Sequence, residues 1–239
     1  MSRKLYLEDP YLREAPCRVI AHTEEGGVVL DASLFYPTGG GQPGDSGALE
    51  WQGQVMPIAT AVKGEGAQII LVPSAPVALP PVGTQLMQRL DWDRRHRHMR
   101  VHTALHLLSV AVPFGVTGGA ISATHGRLDF DMPDAPEDRA AVEETLHRLI
   151  DRDARVSDGW ITEAELDAAP HLVKTMAVQP PRGTGDVRLV RIGEDTDWID
   201  LQPCGGTHVA RTGEIGTVRL GKIEKKGRTN RRIYLHLES

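Results

Sequence analysis

DWDRRHRHMRVHTALHLLSVAV, residues 91–112, separates two kinds of sequence. Asp91 or Asp93 can cap a helix running from about Arg94, and Met99, Leu105 and Leu108 recur roughly at helical spacing. Inside it His102 and His106 stand four apart in an apolar run, so one helical face carries both rings. A shared metal ion accounts for the pair. So does coincidence, because the chain holds ten histidines. Residue 103 is Thr where HExxH metalloproteases carry a general-base Glu, which argues against that class.

Upstream, residues 1–88 read as short strands and turns. Residues 17–31 form two β-rich runs around Glu25–Gly26–Gly27, and residues 54–74 repeat the pattern around Gly64–Glu65–Gly66. A proline-rich stretch near residue 80 ends this unit, which the pattern predicts to be a small β-barrel. Downstream, residues 89–239 read as an α+β domain with helices packed on an antiparallel sheet. Asp134 and Pro136 predict the start of a second helix, with Val142, Leu146, Leu149 and Ile150 as its buried stripe. EAELDAA reads as a short third helix, RLDFDM, DVRLVRIG and DWIDLQ as strands, and residues 217–238 as a closing hairpin around Gly227.

With 239 residues, 40% hydrophobic and 25% charged, the composition is that of a soluble globular protein of one large domain or two small ones. A net charge of −5 excludes a bulk polycation, so any nucleic-acid contact must come from a local patch. Two cysteines, Cys17 and Cys204, exclude a disulfide scaffold and fit a reducing compartment. The first sixteen residues lack the apolar core of a signal peptide, and no stretch is long enough to span a bilayer; the expected location is cytoplasmic.

QPCGGTH, residues 202–208, puts Cys204 and His208 four apart with two glycines that permit a tight turn between them. Together, His102, His106, Cys204 and His208 make a set of three imidazoles and one thiol, two pairs each at ligand spacing. Borderline-soft nitrogen and sulfur donors favour one zinc ion over magnesium or calcium. Four protein ligands describe a closed structural site, whereas catalytic zinc keeps a position open. The spacing leaves that choice open. FYPTGGGQPGDSG, residues 35–47, is either a loop that lets backbone approach a ligand, with Thr38, Gln42 and Asp45 as pocket groups, or a plain hairpin loop. It is not a P-loop. Positive charge gathers at RRHRHMR, with Arg94 and Arg95, and at KIEKKGRTNRR, with Lys222, Lys225, Lys226, Arg228, Arg231 and Arg232. Such patches are a footprint for a polyanion such as RNA. Scarce aromatics make base stacking a less obvious mode.

These stretches together, in order along nearly the whole chain, resemble the AlaX family of free-standing alanyl-tRNA editing proteins, which are similar to the editing region of alanyl-tRNA synthetase. The HxxxH and CxxxH pairs are shared with threonyl-type editing domains; the Gly-rich loop is more particular to the alanyl group. The likeness is to the mid-length form, a barrel plus an editing domain. It implies zinc held by His102, His106, Cys204 and His208, and hydrolysis of tRNA(Ala) mischarged with serine, and sometimes glycine. That is an ATP-independent proofreading step acting in trans, since no aminoacylation domain is recognisable. Thr38, Gln42 and Thr103, with Ser122 and Thr124, are the candidate readers of the serine hydroxyl. The alternatives are a non-catalytic tRNA-binding module with a structural zinc and a zinc hydrolase of another small ester. Whether the protein is a monomer or a homodimer stays open.

Overall fold

Apolar and polar residues alternate through much of the first 90 residues, and the strands they form close on themselves. The computed structural model describes residues 2–175 and 185–238. It divides into two compact units, Met1–Arg97 and His98–Ser239. The first begins with β1 (Arg3–Lys4), a short α1 (Leu5–Glu8) and β2 (Glu14–His22). There follow β3 (Val28–Leu30), β4 (Ala32–Ser33), β5 (Gly47–Trp51), β6 (Gln54–Lys63), β7 (Ile69–Pro73) and β8 (Gln85–Leu90). Six of them make a closed barrel in the order β2-β3-β7-β6-β5-β8, while β1 pairs parallel with β4. Along β2, Ala15, Cys17 and Val19 are buried and their neighbours exposed, the period-two pattern of a strand with one wet face. Leu30, Phe35, Leu49, Met56, Ile69 and Leu71 fill the interior.

The Gly-rich stretch is a tight two-residue hairpin turn. Gly39 and Gln42 exchange backbone hydrogen bonds of 3.1 and 2.9 Å, and Gly40 and Gly41 both take positive φ, 56° and 82°. That geometry at both central positions belongs to a type I′ turn, which favours glycine.

α2 (Trp92–Ala111) begins two residues earlier than expected. Asp91 is its cap: the Arg94 N–H donates to the Asp91 carboxylate at 3.2 Å. The start of α2 is anchored in the first unit through Arg95. Its guanidinium donates from Nε to Asp45 at 2.9 Å and from Nη2 to the Leu34 carbonyl at 2.7 Å, and its side chain is wholly buried. Arg95 is therefore not a phosphate contact, which corrects the reading of the basic run. A buried cation survives there because Asp45, fifty positions earlier, neutralises it.

Every residue of α2 from His98 to Ser109 except Arg100 is buried, so that stretch shows no single apolar stripe. The second unit continues with β9 (Val116–Ile121), β10 (His125–Asp131), α3 (Arg139–Asp151) and β11 (Val156–Thr162). Then come α4 (Glu163–Ala168), β12 (Asp186–Gly193), β13 (Trp198–Pro203), β14 (Val218–Lys225) and β15 (Asn230–Leu237). These strands form a four-stranded antiparallel sheet, β14-β15-β10-β9, and a three-stranded one, β11-β12-β13. The chain is thus α+β, as its sequence predicts. α2 packs close on β10: a Cβ at Gly126 would lie 2.7 Å from Val101 and 2.9 Å from Leu105. The cap of α3 is Asp138, which accepts from the Ala141 N–H at 2.9 Å, and not Asp134. Of the expected stripe, Leu146 and Ile150 are buried and Val142 and Leu149 half-buried.

Replacing Arg95 by Ala leaves the Asp45 carboxylate buried without its cation. A denaturant titration should show stability falling by about 3–5 kcal/mol; an unchanged midpoint would contradict the anchoring role.

Candidate metal centre

Two segments a hundred residues apart build the cluster. The middle of α2 supplies His102 and His106, and the loop leaving β13 supplies Cys204 and His208. Their donor atoms lie within 4.8 Å of one another. Cys204 Sγ is 3.5 Å from His102 Nε2 and 3.3 Å from His208 Nε2. A tetrahedral ion with bonds of about 2.1 Å to nitrogen and 2.3 Å to sulfur has N···S edges of about 3.6 Å, so the spacing suits one shared metal ion. Neither Gly205 nor Gly206 takes a positive φ, so the Cys–His turn forms without the left-handed conformation.

The groups behind the ligands set which nitrogen faces inward. The Thr103 hydroxyl donates to the Met99 carbonyl at 2.9 Å, so its oxygen is left to accept from His208 Nδ1–H at 3.1 Å and from the Val209 N–H at 3.3 Å. His208 therefore presents an unprotonated Nε2 to the cluster. His106 donates from Nδ1 to Asp200 at 2.8 Å, which likewise turns its Nε2 inward. Asp200 is completed by the Gln202 amide at 2.7 Å and by Lys174. Arg188 Nη1 donates to the carbonyls of Cys204 and Gly206 at 3.0 and 2.9 Å and holds the ligand loop on β12.

The electrostatics match. Burial opposes ionisation of Cys204, but the adjacent His102 and the hydrogen bonds from His102 and His106 outweigh it and hold the thiol well below its usual range, which favours its thiolate form. Burial and the charge of His102 push His208 down to about 3, so it is neutral. Burial works against a charged His106, yet its hydrogen bond to Asp200 and the adjacent thiolate raise it to about 9. Asp200, which burial alone would raise, is held at about 2 by His106 and Lys174. A metal ion at this place displaces a proton from His106 and meets a lowered thiol at Cys204 and a neutral imidazole at His208.

Residues 187–234 match the family model described as the threonyl and alanyl tRNA synthetase second additional domain, and residues 13–94 match that of class II (A) tRNA synthetases. The chain is 32% identical to the alanyl-tRNA editing protein AlaX-M of Methanosarcina acetivorans, over 99% of each chain. The chain belongs to the AlaX-M family of alanyl-tRNA editing proteins. It is 33% identical to the AlaX-M protein of Saccharolobus solfataricus over 98% of each chain. It also matches the alanine–tRNA ligase of Pyrobaculum neutrophilum at 33% identity, over 94% of this chain and 25% of the ligase, so it spans about a quarter of that relative. His102 and His106 lie between the two matched segments; Cys204 and His208 fall inside the first-named one.

The other expected site residues divide. Thr103 is fully buried and its hydroxyl is engaged as above, so it orients His208 and does not read a substrate hydroxyl. Thr38 and Gln42 belong to the first unit: Thr38 accepts from the Gly44 N–H at 2.9 Å, and Gln42 is buried in the hairpin. Ser122 caps the turn into β10, accepting from the His125 N–H at 3.1 Å, and Thr124 lies in that turn. Arg94 donates to the Gly44 carbonyl at 2.8 Å. Of the C-terminal cations, Lys222, Lys225, Lys226 and Arg228 are exposed. Arg231 folds back onto the Gly227 carbonyl at 3.0 Å and is buried, and Arg232 is bound to Asp129 at 2.7 Å; neither is a free phosphate contact. Neither cysteine is in a disulfide, and burial in the barrel pushes Cys17 up to about 12. Asp200, Gln202, Lys174 and Arg188 are functional side chains that the sequence reading did not single out.

Asp200→Asn removes the carboxylate that orients His106. Metal affinity, measured by competition with a chelator, should fall about 10- to 100-fold with the fold intact; an unchanged affinity would remove Asp200 from the centre.

Proposed function

We propose that this chain is a zinc-dependent aminoacyl-tRNA deacylase that hydrolyses mischarged tRNA(Ala), chiefly seryl- and also glycyl-tRNA(Ala), in trans. The observation that carries the reading is the cluster of three histidines and one cysteine, with its inward-facing nitrogens set by Thr103 and Asp200, in a chain related end to end to alanyl-tRNA editing proteins. Three imidazoles and one thiolate favour zinc over the hard cations. An aminoacyl ester is already activated, so no covalent nucleophile is needed. Zinc held there supplies Lewis acidity and lowers the pKa of water near pH 7. The protein's part is to hold the donors rigidly: Arg188 fixes the Cys204–His208 loop, while Asp200 and Thr103 orient the rings. Cys204 is the half-buried member of the set and the other three are buried, so approach is from its side.

The second unit is the deacylase domain in this reading. The exposed cations of the closing hairpin, Lys222, Lys225, Lys226 and Arg228, hold the tRNA through its phosphates. Its setting is the cytoplasm; among the described residues no helix is long and apolar enough to cross a membrane. Four protein donors also suit a closed, purely structural zinc in a tRNA-binding module. Chelation separates the two readings.

Seryl-tRNA(Ala) should be hydrolysed and alanyl-tRNA(Ala) spared, with activity lost on chelation, restored by zinc, and the protein folded throughout. Absence of hydrolysis by folded, zinc-loaded protein would favour the binding module. Changing Lys225, Lys226 and Arg228 to Ala should weaken tRNA binding and reduce the slope of log K against log salt by about 2–3. An unchanged slope would exclude the hairpin as the phosphate contact.

A further inference from the structure

In the three-stranded sheet, Trp160 of β11 stands directly opposite Arg188 of β12. On the other side of β12, Leu189 pairs with Pro203, and the Cys204 N–H donates to the Arg188 carbonyl at 3.1 Å. Trp160, Arg188 and Cys204 therefore form one row across the strands. The face they share is settled by Asp158, whose carboxylate lies 3.3 Å from Arg188 Nε. Asp158 and Trp160 are two apart in the same strand and point the same way. By the same alternation Arg188 shares its face with Val190 and Ile192, which pair with Gln202 and Asp200, the groups behind His106. The opposite face, with Ile161, Val187, Leu189 and Leu201, packs on Leu166 and Leu172. The indole is thus on the metal-centre side of the sheet, on an edge strand, and 57% exposed.

A single exposed apolar side chain is unremarkable by itself. Position gives this one its meaning. Two strand spacings of about 4.8 Å put its strand about 10 Å from the Cys204 ligand, roughly the span of one nucleoside. Within the row, Arg188 is buried, with Nη1 on the ligand loop and Nε beside Asp158, so the surface presented beside the centre is the indole. In an aminoacyl-tRNA the reacting ester sits on the terminal ribose, and the base on that ribose lies one nucleoside from the reacting carbonyl. Aromatic side chains bind single-stranded bases by stacking.

We propose that Trp160 stacks the 3′-terminal base of the aminoacyl-tRNA while the ester lies at the metal centre. The inference rests on the deacylase reading. It is tested by binding of uncharged tRNA(Ala), complete or lacking its last nucleotide, to wild type, Trp160→Ala and Trp160→Phe. Wild type should lose roughly tenfold in affinity when the last nucleotide is removed. Trp160→Ala should bind the complete tRNA as weakly as wild type binds the shortened one and show no further loss, while Trp160→Phe retains most of the difference. Trp198→Ala, another exposed indole outside the row, should behave as wild type. On seryl-tRNA(Ala), Trp160→Ala should raise KM about tenfold, with kcat and metal content little changed. Equal sensitivity of wild type and Trp160→Ala to the last nucleotide would overturn the proposal and leave the deacylase reading standing. Failure of wild type to hydrolyse mischarged tRNA would overturn both.

Discussion

Three imidazoles and a thiolate held within 4.8 Å, mostly out of water, are the constraint on which the second unit is organised. Polar groups are packed this densely in a protein interior only when each has a partner. Here the outward atoms find theirs in protein, Asp200 for His106 and Thr103 for His208, and the inward atoms converge. The convergent atoms are placed so that one cation can be shared among them. Folding must therefore bring a buried helix and a loop a hundred residues later into register.

The fold meets that demand with rigid elements. Gly126 allows α2 to lie close on β10, which sets the height of His102 and His106 above the sheet. The β12–β13 ladder sets Asp200 and Gln202, and Arg188 clamps the loop that carries Cys204 and His208. Lys174 extends the chain of charge to Asp200. The ligands are thus reached through at least two layers of hydrogen bonds, and geometry at the metal is inherited from strand register.

The four residues that cluster and the two hairpins of the barrel were legible in the sequence because their signals are local: two pairs at i,i+4, and alternating runs around glycine turns. What was not legible depends on partners far along the chain. Asp200, Gln202 and Arg188 acquire their roles from contacts 94, 96 and 16–18 residues away, which no spacing rule reveals. Arg95 looked like one more member of a solvated basic run until Asp45 proved to be beside it. β11 was missed because Ser-Asp-Gly imitates a loop, and β9 because of its two glycines. The start of α3 slipped because Asp134–Pro136 and Asp138 both carry cap chemistry, and the chain uses the second.

That one metal ion is bound by three imidazoles and one thiolate is the claim from which the remainder of the account descends. X-ray absorption on zinc-loaded protein reads this shell directly. The account predicts one zinc per chain, with about three nitrogens near 2.0–2.1 Å and one sulfur near 2.3 Å; the sulfur should disappear in Cys204→Ala. A shell with no sulfur in the wild type, or a chain that retains no zinc, would contradict it.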